Sequence, residues 1–186
     1  AFLNNGNWSR VNYGIMLVKN NFRGRREIVK IKTRFGYNEQ LQFAYTVPNI
    51  GGSQRHGVSA ELSYNRLHEV AYNLFNDKLI YYNNPDKYMQ KYYSAYFNYK
   101  YRPKYDTDHN LSAMIYQRVV DDTIITLNNN FFYNNNNFGR YFILSYTFNF
   151  DTRNYIHYPL TGKFFSLNIS KTGLSILPGE PDGFWG

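Results

Sequence analysis

From Tyr141 to Phe150 the chain reads YFILSYTFNF. Phe142, Leu144, Tyr146, Phe148 and Phe150 are all large and apolar. The positions between them pass from Tyr141 and Ile143 to Ser145, Thr147 and Asn149. A two-residue period is that of a β-strand, whose successive side chains point to opposite faces. The pattern recurs about eight times, and almost nothing carries the 3.6-residue period of a helix.

A first strand, Val11–Lys19, sets Val11, Tyr13, Ile15 and Leu17 on one face. The second, Glu27–Phe35, sets Val29, Ile31 and Phe35 opposite Ile28, Lys30, Lys32 and Arg34. In the third, Leu41, Phe43, Tyr45 and Val47 oppose Gln42, Ala44 and Thr46, and Pro48 to Gly52 ends the run. The fourth places Val58, Ala60, Leu62 and Tyr64 against Ser59, Glu61, Ser63 and Asn65. In the fifth, Tyr93, Ala95, Phe97, Tyr99 and Tyr101 alternate with Ser94, Tyr96, Asn98, Lys100 and Arg102. The sixth opposes Leu111, Ala113, Ile115 and Val119 to Ser112, Met114, Tyr116 and Arg118. Tyr141–Phe150 is the seventh, and Phe165, Leu167 and Ile169 mark the eighth, against Ser166, Asn168 and Ser170.

The connections carry a second regularity. Residues 68–91 and 121–139 read as long loops, the second with the Asn runs that disfavour strands. Residues 20–25, 48–57, 103–110 and 151–162 read as compact turns, and Gly173–Gly186 reads as the start of another loop. Long loops on one side and short turns on the other is the layout of an outer-membrane barrel. The expected fold is therefore all-β, an antiparallel transmembrane β-barrel with about eight strands present over residues 1–186, the short turns lying in the periplasm.

On that reading the lipid-facing residues are Tyr13, Ile15, Leu17, Val29, Ile31, Leu41, Phe43, Tyr45, Leu62, Tyr64, Phe97, Tyr99, Phe142, Leu144, Tyr146, Phe148, Leu167 and Ile169. The lumen-facing residues are Lys30, Lys32, Arg34, Glu61, Asn98, Lys100, Arg118 and Asn168. Three cations on one strand face fit a water-filled lumen better than a dry core. Their plainer reading is a solvated strand face. The plainer reading of the apolar alternation is the core of a soluble β-sandwich.

Composition agrees with a barrel. Mean hydropathy is -0.59 and no window resembles a spanning helix, but strands of about 9–11 residues cross a bilayer without raising a hydropathy average. Aromatic residues make up 20%, with 20 Tyr and 15 Phe, the residues of interfacial girdles. The absence of Cys removes disulfides, thiolate metal sites and Cys nucleophiles. A net charge of +8 invites nucleic acid as a partner, but the cations are scattered along strands and turns, so none is expected.

His56, His68, His109 and His157 are isolated and read as turn or loop-edge residues. Asp106 and Asp108 beside His109 imitate a metal cluster but read as a solvated turn. Asp121-Asp122 at a loop tip is a cation site only by composition. No phosphate loop or nucleophile elbow occurs, so no enzymatic activity, cofactor or metal is expected.

Three stretches go beyond pattern. Asn20-Asn21-Phe22-Arg23-Gly24-Arg25, followed by Glu27, resembles a periplasmic turn near the start of the barrel in the BamA/TamA superfamily of bacterial surface-antigen barrels. Leu41 to Ile50 resembles the family's next strand and its end at Pro48. Asp151-Thr152-Arg153-Asn154 with Tyr158-Pro159-Leu160-Thr161-Gly162-Lys163 is similar to the family's turn before a strand that opens with aromatic residues. Asn21, Gly24, Pro48, Asp151, Arg153, Pro159 and Gly162 carry the match, which covers about residues 11–172 in the family's order.

The resemblance implies part of a sixteen-stranded barrel in the outer membrane of a Gram-negative bacterium. It implies an N-terminal half, with the family's POTRA domains, lumen-entering loop and closing strands outside this sequence, and with the family's first strand at or before Ala1–Trp8. It also implies a role in folding, inserting or translocating outer-membrane proteins through a lateral seam, with the bilayer, client proteins and accessory subunits as partners. Other readings are a self-contained eight-stranded barrel with a structural or adhesive role, a relative of two-partner secretion transporters or patatin-fused barrels, and a soluble aromatic-rich binding module.

Overall fold

A computed structural model describes residues 10–52, 54–132 and 135–174, and the backbone of 184–185. In chain order the elements are β1 (Asn12–Phe22), β2 (Glu27–Gly36), β3 (Glu39–Ile50), β4 (His56–Leu67), β5 (Glu69–Phe75), β6 (Lys78–Asn83), β7 (Gln90–Lys104), β8 (Thr107–Val120), α1 (Asp122–Leu127), β9 (Phe138–Asp151), β10 (Phe164–Thr172) and β11 (Phe184–Trp185). Eight long strands pair antiparallel in the order β1-β2-β3-β4-β7-β8-β9-β10, and β11 adds to the free side of β10. Each strand thus pairs with the long strand before and after it, the arrangement of a meander. No described helix is long and apolar enough to cross a membrane, which leaves strand crossing untouched.

The expected all-β antiparallel architecture is present, and the differences lie in the connections. Residues 68–91 are not a plain loop: β5 and β6 form a hairpin there, closed by Asn76 and Asp77 at φ of 48° and 58°. Two successive positive φ values are the mark of the tight hairpin turn that matches strand twist. A bulge between Ala71 and Asn73 breaks the two-residue period, which hides the hairpin from a search for alternation. Residues 121–139 hold the single helical turn and a half of α1, and β9 already begins at Phe138.

The compact turns are also differently bounded. β3 runs through Pro48 to Ile50 because the ladder with β4 is bulged between Val47 and Ile50, a position that tolerates a residue without an N–H. β7 reaches Lys104 and β8 starts at Thr107, so the expected turn over 103–110 shrinks to two residues. The β9–β10 connection, 152–163, is longer than a tight turn. At the opposite end the β2–β3 link is only 37–38, a short loop already visible in the sequence as Gly36-Tyr37-Asn38-Glu39, so that end carries a short connection beside the long ones. The expected loop over Gly173–Gly186 contains β11, residues 175–183 lying outside the described set, as does the expected first strand at Ala1–Trp8.

The sheet has no packed core of its own. Among the described residues the buried hydrophobic side chains are Val70, Met89, Val120 and Ile124, with Tyr72, Tyr82, Ile125, Phe131 and Phe132 against them. All belong to the end of the sheet where the β5–β6 hairpin and α1 fold together. Ile124 is 0% exposed and anchors α1 to this cluster. Ile124→Ala is expected to cost about 2–5 kcal/mol locally. Hydrogen exchange should then rise over 69–83 and 121–132 while the long strands keep their protection.

Candidate functional site

Residues directly opposite in an antiparallel ladder share a face, so the register sorts every side chain of the meander. One continuous row runs Ile15–Thr33–Leu41–Tyr64–Tyr93–Gln117–Arg140 from β1 to β9. The next runs Leu17–Ile31–Phe43–Leu62–Ala95–Ile115–Phe142. Extended over the whole ladder, one face carries all eighteen residues read from sequence as lipid-facing, from Tyr13 to Ile169; the register shows that they share a face. The opposite face collects Lys30, Lys32, Arg34, Glu61, Asn98, Lys100, Arg118 and Asn168.

Exposure is inverted relative to a water-soluble domain. Ile15 is 64% exposed, Leu17 62% and Leu62 59%, whereas Lys30, Lys32, Gln42, Glu61, Ser63, Asn98 and Arg118 are half-buried. On β2, β3, β4 and β8 the polar side is therefore the more sheltered one, whereas Met16 and Val18 on the same side of β1 and Asn168 on β10 are exposed.

The apolar band does not follow the hydrogen-bonded rows. On β1 it is centred on Ile15, between Tyr13 and Leu17. The row from Ile15 arrives on β9 at Arg140, but the band on β9 runs from Phe142 to Phe150 and is centred on Tyr146. From β1 to β9 it thus moves six residues over six strand-to-strand steps. One residue, roughly 3.4 Å, for each 4.8 Å between strands makes an angle of about 35°. Charged or amide side chains edge the band on this face. Glu39, Arg66, Lys91, Gln117, Arg140 and Lys171 stand at its long-loop side, and Lys19 and Glu27 at the turn side of β1 and β2.

At its turn side the band ends in rings. His56, Tyr101 and His109 stack across β4, β7 and β8, and His109 meets Phe148 of β9 at a tilt, with centroids 5.0, 5.8 and 5.1 Å apart. The Nδ1 of His56 lies 2.6 Å from the Tyr99 hydroxyl, and that of His109 lies 2.7 Å from the Tyr146 hydroxyl. His109 is thus a strand residue in an aromatic row, not the turn residue its sequence context suggested. Alternation puts Asp108 on the other face, where it pairs with Lys100 at 3.2 Å and with Arg102 at 2.8 Å. Beside that triplet, Thr46, Ser59, Asn98, Lys100, Arg102 and Arg55 border a polar cleft of about 270 Å³.

The turn residues singled out from sequence have local work. Asn21 accepts the Arg26 N–H at 2.9 Å through Oδ1, and Gly24 sits at φ 73°. Arg23 holds both oxygens of buried Glu27 at 2.8 and 2.9 Å and donates to the Tyr45 hydroxyl at 2.7 Å. Asp151 takes Arg153 through two side-chain bonds of 2.9 and 2.8 Å, and Arg153 lies 4.4 Å over the Phe164 ring. Asn154 Oδ1 accepts the N–H groups of Tyr155, Leu160 and Thr161, gathering the 152–163 turn around one side chain. At Gly162, φ 101°, a Cβ would come within 2.2 Å of the Thr152 carbonyl oxygen. Pro159 is exposed within that turn.

At the long-loop end the cap reaches over the polar face. Arg118 donates to Gln90 and stands 4.8 Å over the Phe131 ring, and a Cβ on Gly139 would meet the Phe132 ring at 2.8 Å. His68 is buried between the rings of Tyr37 and Tyr88. Asp121, singled out as a loop-tip acid, caps α1 through Thr123 and pairs with Lys87 at 2.5 Å. Compared with known protein families and with curated proteins, the chain matches none.

Burial of the Asp121 carboxyl opposes its ionisation, but hydrogen bonds from Lys87 and Thr123 prevail and hold its pKa below the usual 3.8. A depressed carboxylate pKa stabilises the fold above the unfolded value and loses that contribution as pH falls through the folded one. The cap should therefore be unchanged between pH 7 and 5 and loosen only below about pH 3.8, the ordinary value for an aspartate. Asp121→Asn keeps a capping side chain and removes the charge. Its cap should exchange faster than the unaltered one at pH 7, the two converging in acid when followed by hydrogen exchange of α1.

Proposed function

We propose that this chain supplies membrane-spanning strands of an outer-membrane β-barrel, its apolar face against lipid and its polar face along an aqueous lumen. In this reading the barrel is of the BamA/TamA type and assists folding, insertion or translocation of other outer-membrane proteins without covalent catalysis. Client strands would enter through a lateral seam.

The observation that carries the membrane reading is the oblique apolar band. A bilayer is a flat slab, so strands that cross it at a tilt must present their apolar residues one step further along on each neighbour. The angle of about 35° falls at the lower edge of the 35–45° tilt of membrane barrels. A sandwich core has no need of such a band, and it would leave the large side chains buried rather than exposed. On β7 the band spans Tyr93 to Tyr101, about 27 Å along the strand, which at that tilt covers most of a bilayer's hydrocarbon.

The assembly role rests on the turns. Asn21 and Gly24 in one, and Asp151, Arg153 and Gly162 in another, are the residues of the resemblance, and each has a backbone or ion-pair task there. A wall larger than eight strands is favoured by β11, which pairs with β10 at Lys171 and Thr172, on the edge that a closed eight-stranded barrel would give to β1.

Two adjacent substitutions test the membrane reading. In liposomes, Leu62→Arg on the apolar face should cost about 2–4 kcal/mol in urea titrations of the heat-modifiable gel band, while Ser63→Arg costs far less. Equal costs would sink it. For the assembly role, the full-length protein in proteoliposomes should speed the folding of an added urea-denatured barrel protein. An unchanged folding rate would remove that role and leave the barrel intact.

A further inference from the structure

The cations of the polar face are unequally answered. Lys100 and Arg102 share Asp108, and Arg118 has Gln90 and two aromatic rings. The side chains of Lys30, Lys32 and Arg34, successive on the polar side of β2, have no ion pair or hydrogen-bond partner among the described residues. All three are half-buried, and the Nε of Arg34 is shielded from solvent without an acceptor. Their neighbours in register are Val18, Met16 and Gly14 on β1 and Ala44, Gln42 and Gln40 on β3, none of them acidic. Glu61 shares the row of Lys30 but stands beyond Ala44, two strands and about 9.6 Å away.

Three like charges held side by side and partly out of water are unfavourable unless an anion joins them. We propose that the polar face of β1–β3 is a docking surface for an acidic polypeptide segment in extended form, with carboxylates at alternate positions. Alternate residues on a strand repeat at roughly 6.8 Å, the spacing of Lys30, Lys32 and Arg34, so an extended chain lying along β2 meets one cation with every second side chain. The planar guanidinium of Arg34 suits a two-oxygen acceptor. On the β1 side, Gly14, Met16 and Val18 offer no polar group to compete for the ligand. The proposal needs only the polar face and does not depend on what covers the apolar one.

The test uses the full-length protein in detergent micelles and a fluorescein-labelled peptide with Glu at alternate positions, read by anisotropy. Saturable binding is expected, weakened at least tenfold by the triple variant Lys30→Gln, Lys32→Gln, Arg34→Gln, and weakened by added salt. Lys100→Gln with Arg102→Gln should bind like the unaltered protein. Unchanged affinity in the triple variant would overturn the proposal, as would an equal loss in the Lys100/Arg102 pair, which means diffuse charge. Stronger competition by inorganic polyphosphate than by unlabelled peptide at equal charge would also overturn it, in favour of a phosphate ligand. If the triple variant loses its sheet by circular dichroism, Lys32→Glu alone decides. It should weaken the Glu peptide and strengthen a Lys peptide of the same spacing, and failure to shift preference refutes the site.

Discussion

Eight strands keep a single phase of alternation through seven hydrogen-bonded interfaces, and everything else in the molecule depends on that phase. A slip of one residue at any interface would carry a whole set of side chains to the other face. The bulges that interrupt the ladders, at Lys19/Phe22, Val47/Ile50 and Tyr101/Lys104, all fall at the turn end, beyond most of the apolar band. They change the twist and the turns without mixing the faces. The result is one face carrying Ile15, Leu17, Ile31, Leu41, Phe43, Leu62, Phe97, Leu111, Ile115 and Leu144, all exposed.

Magnitudes make that exposure a constraint rather than a detail. Being about half exposed, each such side chain forgoes roughly half of the 1.5–3 kcal/mol that full burial would give, so ten of them amount to on the order of 8–15 kcal/mol. A typical domain is stable by only about 5–15 kcal/mol. The buried cluster around Ile124 is far too small to compensate and serves the loop cap alone. In the proposed barrel, lipid covers the apolar face, and the oblique band suits a planar cover. The edges point the same way. Among the described residues β1 pairs with β2 alone and β11 lies beyond β10, which suits the proposed wall of more than eight strands.

The strands and their faces were legible in sequence because alternation is local, and each run from Tyr13 to Ile169 declared its own phase. The β5–β6 hairpin was not, since a bulge at Ala71/Asn73 destroys the period; Asn76-Asp77 between two apolar runs was the signal that remained. α1 is too short to show a helical period, although Asp121 ahead of it is an ordinary capping residue. Turn residues such as Asn154 and Gly162 were visible only as a motif, and their reasons needed the folded turn. Partnerships across strands were invisible: that Asp108 answers Lys100 and Arg102, or that His56 and His109 flank Tyr101, follows from register alone.

The central claim is that the two faces of one strand meet different solvents. The 186 residues contain no Cys, so with any Cys elsewhere replaced, spin labels can be placed singly at each position from Tyr141 to Phe150 in the reconstituted full-length protein. Collision rates with oxygen, which concentrates in lipid, and with a water-soluble nickel complex then report the surroundings of each label. The account predicts a two-residue oscillation, with oxygen favoured at Phe142, Leu144, Tyr146 and Phe148 and nickel favoured at Ile143, Ser145, Thr147 and Asn149. Oscillation of the opposite phase, or water access on both faces, would contradict it.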